Sequence, residues 1–421
     1  MSTTTDVPPP SRSAYSDFFS RRAGIDATAN AYTRWRRSPA NTMLGRAVPV
    51  GGATPHTWPD PDARPGDLLN ISAQDYLGLS MRPEIARAVI TALEAHGTGT
   101  GAAPMAGGST PTHCALEREL SAHCGMDDAA IFASGYAANV GLVAGLMRPG
   151  DTVVMDRNAH ASSIDGARMA GAEVRVFRHN DASDLEAVLR QLPAGGERLV
   201  CLEGLYSMDG DTPDLHEMKD VAHRHGALLV VDEAHSEFCL GPTGGGLAEL
   251  QGVKPDFHVG TFSKALSVQG GFIAGDGHVM QWLKDTARPR MFSVTVSPLL
   301  IGAVTEALRI ARTEPHLRAA LGDNSALLRA RLAEHGIEAL GNAHVVPVLV
   351  GDETACLTAA RVLGERGVHV MPVLYPAVAL GKARLRVTVC TTYGTTYGTT
   401  LIDDIAREVA HAVHTARNTS V

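Results

Sequence analysis

Nowhere does the chain run through the ~20 consecutive apolar residues that a membrane-spanning helix requires, which sets a transmembrane class aside. Residues 1–11 are polar and proline-rich without an apolar signal core, and the expectation is a soluble, cytoplasmic protein. Clusters of positive charge are also missing. The 37 Lys and Arg are outnumbered by 45 Asp and Glu, for a formal net charge of −8, and the most basic short run, Arg34-Trp35-Arg36-Arg37, reads as an exposed helix face. This argues against a nucleic-acid partner and for small-molecule chemistry. The six cysteines, Cys114, Cys124, Cys201, Cys239, Cys356 and Cys390, show neither paired short spacing nor accompanying histidines in a metal pattern. Buried free thiols are expected, with no disulfide framework and no metal. Only one internal repeat occurs, over residues 391–395 and 396–400, too short for a solenoid and read as lengthening one loop.

At 421 residues the chain is too long for one ordinary domain. The expected division is a tail and helical segment over 1–68, a large domain over 69–298 and a small one over 299–421. Within the first, 1–12 read as a tail that cannot bury enough apolar area to order, 14–37 as a helix and 51–66 as a connection. Short apolar runs at 129–132, 152–155, 174–177, 199–202, 227–231 and 257–259 then alternate with helical patterns. They imply an α/β domain with a parallel, doubly wound sheet. After Pro298, helices are expected at 299–313, 315–336 and 401–417, with strands at 345–349, 368–373 and 384–388, making a smaller α+β domain.

Most lysines are solvated surface residues, and Lys264 alone would carry no argument. It lies, however, among small hydroxyl and glycine residues in Gly260-Thr261-Phe262-Ser263-Lys264-Ala265-Leu266-Ser267, just after an expected strand. Upstream, the apolar run 227–231 ends in Asp232-Glu233-Ala234-His235. Open parallel sheets bind ligands at the carboxyl ends of their strands. An Asp there can pair with a protonated ring nitrogen while a neighbouring Lys holds an aldehyde as a Schiff base, which together describe a pyridoxal phosphate (PLP) site.

Further motifs follow in order: Gln74-Asp75-Tyr76-Leu77-Gly78-Leu79-Ser80, Gly97-Thr98-Gly99-Thr100-Gly101, Ser134-Gly135-Tyr136-Ala137-Ala138-Asn139, His160-Ala161-Ser162, Glu203-Gly204-Leu205-Tyr206-Ser207-Met208-Asp209-Gly210-Asp211 and Arg384-Leu385-Arg386. With the Asp232 and Lys264 motifs they resemble, collinearly from about residue 70 to 392, the α-oxoamine synthases. The resemblance implies PLP fold type I and a homodimer with shared active sites. It implies condensation of an amino acid with an acyl thioester, on CoA or a carrier protein, usually with loss of carbon dioxide to give an α-aminoketone.

By the same resemblance, Lys264 carries PLP and then removes the α-proton, while Asp232 pairs with the pyridinium nitrogen. His160 stacks on the ring, and His235 and Ser207 approach the ring hydroxyl. Ser134, Gly135, Tyr136, Thr261 and Ser263 bind the phosphate, with Ser293 or Thr295 reaching the partner subunit's cofactor. Arg386 grips the amino-acid carboxylate. Taken singly, His160 also reads as a turn residue, Asp232 as a helix cap, and Arg384 with Arg386 as a solvated strand face. Three departures from the family pattern, Gln74, Pro104 and Tyr393, are expected around the acyl mouth or the carboxylate end, where they bear on substrate identity. An aminotransferase is the enzymatic alternative, and a non-catalytic PLP-fold binding protein is the alternative from another class.

Overall fold

The computed structural model describes residues 47–48, 68–396 and 398–419. The expected tail at 1–12, helix at 14–37 with its basic run, and connection at 51–66 lie outside the described residues. Seven strands form the main sheet in the order Asp128–Phe132, Gly271–Gly275, Phe257–Thr261, Leu228–Asp232, Arg198–Glu203, Thr152–Asp156 and Glu173–Phe177. Thr152–Asp156 and Phe257–Thr261 are buried along their whole length, as expected for strands covered on both faces. Glu173–Phe177 is the edge, where Glu173 and Arg175 pair at 2.6 Å and place charge on an otherwise open ladder.

The sheet is mainly parallel, as expected, with one exception. Gly271–Gly275, in sequence a glycine-rich stretch after the lysine motif, runs antiparallel between Phe257–Thr261 and Asp128–Phe132. Its glycines answer to close approach: a Cβ on Gly271 would stand 2.5 Å from Gly135 N, and one on Gly275 2.8 Å from the Phe257 ring.

In the carboxyl-terminal part, Val345–Gly351, Ala383–Thr388 and Met371–Val373 make an antiparallel sheet. The strand expected over 368–373 divides in two. Val368–His369 instead pairs in parallel with Leu68–Asn70, which also pairs with Ala47–Val48. Ser72 stands at the break, its Oγ accepting from Met371 N and donating to Arg386 O, both at 2.7 Å. The helix Pro298–Thr313 packs on Pro83–His96, and Gly302 allows the approach because its Cβ would stand only 3.0 Å from that of Ala92.

The Thr-Tyr-Gly repeat is not a mere loop extension. Thr392–Thr395 forms a helical turn, and Thr399 begins the last helix, Thr399–Thr419. Asn324 Nδ2 donates to Cys390 O and Thr391 O at 3.0 Å, and Gly394 lies so near Asn324 Oδ1 that a Cβ would clash at 2.3 Å. Tyr393 is fully buried, its hydroxyl donating to Thr388 O at 3.1 Å, so it packs in the core and does not face a substrate mouth. The thiols also differ from expectation: Cys201, Cys239, Cys356 and Cys390 are buried, but Cys124 is half-buried and Cys114 is exposed on the outer face of the helix Pro111–His123. Among the described residues no helix is long and apolar enough to cross a membrane.

Candidate active site

Five strands of the main sheet deliver residues to one pocket at their carboxyl ends, with about 660 Å³ of empty space. Ser134 follows Asp128–Phe132, His160 follows Thr152–Asp156, and Glu203, Asp232 and Thr261 close their own strands. Ser134 caps the helix Gly135–Leu146, its Oγ accepting from Ala137 N at 3.1 Å. The N–H groups of Gly135 and Tyr136 open that helix where intrahelical partners are lacking, and both residues line the pocket. A Cβ on Gly135 would crowd Thr261 Cβ at 3.1 Å, so glycine keeps the cradle open. Thr261 Oγ1 and Ser263 Oγ lie 2.8 Å apart beside it, and Thr261 Oγ1 also donates to Gly270 O at 2.9 Å. Tyr136 points its own hydroxyl away, donating to Asp165 Oδ2 at 2.9 Å.

Asp232 ends the strand Leu228–Asp232 and is held on both oxygens. Oδ2 accepts from Asn139 Nδ2 at 2.6 Å and Oδ1 from Ala234 N at 2.9 Å. Opposite, Phe262, Ala265 and Leu266 are buried and fix the segment that presents Lys264 to the pocket. The turn is closed by Ser267, whose N donates to Lys264 O at 3.0 Å. Ser267 adopts φ 55°, and its Oγ donates to Asp75 Oδ1 at 2.5 Å, tying the turn to the 74–80 loop. Burial lowers the Lys264 amine below the ordinary lysine range, against the pull of Asp232 and Glu203. Burial and the Asp232 charge raise Glu203 in turn.

His160 caps the helix Ala161–Ala170 from an exposed position at the pocket rim, with Nδ1 2.7 Å from Ser162 Oγ. His235 lines the pocket from within, with Nδ1 2.7 Å from the Tyr76 hydroxyl. Burial, reinforced by the positive charges of Lys264 and Arg386, holds His235 well below its ordinary range and therefore neutral. The Tyr76 ring meets the buried His344 ring edge-on at 4.3 Å.

Arg384 and Arg386 share one face of Ala383–Thr388, yet their partners differ. Arg384 Nη1 donates to Asp209 Oδ1 at 2.5 Å and to Met208 O at 3.0 Å, a committed ion pair. Arg386 gives only Nε to a carbonyl, Ser207 O at 2.8 Å. With its amide oriented by this network, the Gln74 oxygen accepts from Nη1 and Nη2 of Arg386, both at 3.0 Å. The fork therefore meets a neutral acceptor that a carboxylate can replace.

Three expected site residues lie elsewhere in the chain. Ser207 touches the site through its carbonyl on Arg386 and is not among the residues that line the pocket. Thr295 donates to Ala102 O at 3.1 Å and, with Pro104, borders a second pocket beyond the 132–134 turn. Conversely, Asn139, Glu203, Tyr76 and His344 join the site without having been singled out for a role; the signal for Asn139, Glu203 and Tyr76 was their place inside the quoted motifs.

The arrangement fits a phosphorylated pyridine aldehyde: an anion cradle that side chains would fill, a doubly held carboxylate for a ring nitrogen, and an amine of lowered basicity. The profile of the Aminotransferase class I and II family matches residues 66–398. An 8-amino-7-oxononanoate synthase of Anaeromyxobacter sp. (strain K) is 38% identical over 363 residues, covering 85% of this chain and 88% of that protein. A serine palmitoyltransferase solved with its PLP internal aldimine aligns with a TM-score of 0.80 at 31% identity, covering 84% of this chain and 89% of the other. The serine palmitoyltransferase of Sphingomonas wittichii aligns at 0.83 with 28% identity, covering 96% and 98%. The chain thus belongs to the class I and II aminotransferase family and, within it, to the PLP-dependent acyltransferases called α-oxoamine synthases.

Proposed function

We propose that this pocket holds PLP and condenses an amino acid with an acyl thioester, releasing the thiol and, from the β-keto acid, carbon dioxide. The observation that carries the reading is the convergence of Lys264, the doubly held Asp232 and the Gly135–Thr261 cradle in one pocket. PLP, when bound, supplies a protonated ring that withdraws electrons from the α-carbon. Asp232, kept in place by Asn139 and Ala234 N, is the group that keeps such a ring nitrogen protonated. Lys264, its amine made less basic by burial, provides the nucleophilic nitrogen and then takes the α-proton at Nζ. Arg386 exchanges the Gln74 amide for the amino-acid carboxylate, which binds more strongly because it is charged. His160 at the rim and neutral His235, oriented by Tyr76, would help hold the cofactor in the pocket.

The functional unit in this reading is a homodimer in which the 292–298 segment approaches the partner's cofactor. Phe292 and Val294, 67% and 62% exposed, leave that segment an apolar surface suited to such a contact. The acyl group arrives on CoA or on a carrier protein. Incubation with a pool of amino acids and acyl thioesters tests the reaction: amino-acid-dependent thiol release with an α-aminoketone product is expected. Amino-group transfer to a 2-oxo acid with the thioester intact would instead make the enzyme an aminotransferase.

A further inference from the structure

A second set of reactive side chains gathers behind the sheet's strand ends. His123 and Cys124 end the helix Pro111–His123, Glu237 lies five residues beyond Asp232, and His258 belongs to the strand Phe257–Thr261. The ligand atoms of Cys124, Glu237 and His258 lie within 4.8 Å of one another. His258 Nε2 is hydrogen-bonded to Glu237 Oε2, and His123 Nε2 stands 3.1 Å from Glu237 Oε1. The His123 and His258 side chains are 2% exposed and that of Glu237 is 1% exposed. Both rings are fixed by stacking, His123 on Phe238 at 5.1 Å and His258 on Phe272 at 5.8 Å.

The Glu237 carboxylate, 1% exposed, is enclosed between the His258 and His123 imidazoles. A buried anion requires a cation beside it. A proton on His258 is one solution. A dication is the other: with the Glu237 carboxylate and a Cys124 thiolate as anionic ligands and the neutral His258 imidazole, the whole group carries no net charge. We propose that Cys124, Glu237 and His258 form a structural zinc site, with His123 holding the Glu237 carboxylate in place. One nitrogen, one sulfur and one carboxylate oxygen make a borderline-soft donor set that suits zinc and disfavours calcium and magnesium. Binding displaces the Cys124 thiol proton and any proton on His258, and forms bonds from the metal to the sulfur, the carboxylate oxygen and the His258 nitrogen.

Position gives the site a consequence. Glu237 is two residues past His235, and His258 is three residues before Thr261 and six before Lys264. One ion would pin the two arms that carry Asp232 with His235 and Thr261 with Lys264, and anchor both to the helix Pro111–His123.

The test uses tag-free holoenzyme purified without chelators from zinc-supplemented cells, with metal read by elemental analysis. Zinc in a one-to-one ratio to the chain is expected. Replacement by Co²⁺ should add intense absorption in the red, clear of the cofactor bands, and that intensity should drop in Cys124→Ser as the thiolate is lost. Wild-type enzyme that contains no zinc, takes up no Co²⁺ and gains no thermal stability from Zn²⁺ overturns the proposal and leaves a proton-bridged ion pair. Zinc retained at the wild-type ratio in His258→Gln overturns it as well, locating the metal elsewhere, with the group of His179, Asp209 and Asp211 the next place to look. If the variants do not fold, the metal content and Co²⁺ spectrum of the wild type still decide.

Discussion

Two pockets flank the 132–134 turn and differ in how far one chain completes them. The pocket at the strand ends draws Ser134, His160, Asp232 and Lys264 from separate β/α units, and its polar groups already hold one another in register. The neighbouring pocket, bounded by Pro104, His113, Arg290 and Thr295, encloses about 360 Å³ and lies beside Phe292, Val294 and Met105, all more than half exposed. Here Thr295 spends its hydroxyl on Ala102 O, and among the described residues nothing covers the apolar rim. Chemistry sits where the fold itself converges charge; the second pocket, in our reading, gains its role only from a partner subunit and from the acyl donor. Substitutions in the first should therefore damage catalysis, and those in the second should alter choice of substrate.

The largest effect is expected at the carboxylate fork. Arg386→Ala removes a charged, bidentate contact, which should raise the amino-acid KM by roughly a hundredfold, about 3 kcal/mol, while the KM for the acyl donor changes little. Arg384→Ala sharpens the contrast: it breaks the pair with Asp209, so a lowered Tm is expected with the amino-acid KM nearly unchanged. Steady-state kinetics and thermal melts on both variants check this, and equal KM effects would contradict the different roles of the two arginines.

Asp232→Asn should act next. The cradle at Gly135 and Thr261 remains, so PLP still binds, but the ring nitrogen loses its anionic partner and kcat should fall by roughly thirtyfold, about 2 kcal/mol. Wild-type turnover would reduce Asp232 to a structural strand-end residue. Asn139→Ala is expected to move kcat in the same direction by less, because Asp232 keeps its bond to Ala234 N.

The smallest effect belongs to the second pocket. Pro104→Arg adds a cation near the rim, which should shift preference toward dicarboxylic acyl-CoAs by about fivefold, about 1 kcal/mol, as for an exposed ion pair. The cofactor absorption should not change. A wild-type enzyme that already prefers the dicarboxylic donor in a competition assay would break the distinction drawn between the pockets.

What the sequence disclosed follows the same division. Lys264 and Asp232 were legible because each follows a short apolar run that forms a buried strand, and strand ends place side chains in a known direction. The antiparallel strand Gly271–Gly275 was not, since glycines at both ends mask the short Phe272-Ile273 run and are held by close packing on Gly135 and Phe257. Tyr393 misled for the opposite reason: a polar repeat concealed a phenol whose hydroxyl is satisfied by Thr388 O. Asn139 stands 93 residues from Asp232, a pairing that no local pattern encodes. Likewise, Cys124 looked inert because its cluster partners Glu237 and His258 are remote in sequence and share no spacing motif.

The central claim is that Lys264 is the lysine that holds the cofactor in this pocket. Borohydride reduction of the wild-type holoenzyme, proteolysis and mass spectrometry of the peptides test it most directly. A pyridoxyl group on the peptide containing Thr261-Phe262-Ser263-Lys264, with loss of the protein-bound visible absorption in Lys264→Ala, is the predicted result. Recovery of the label on any other lysine would contradict the account.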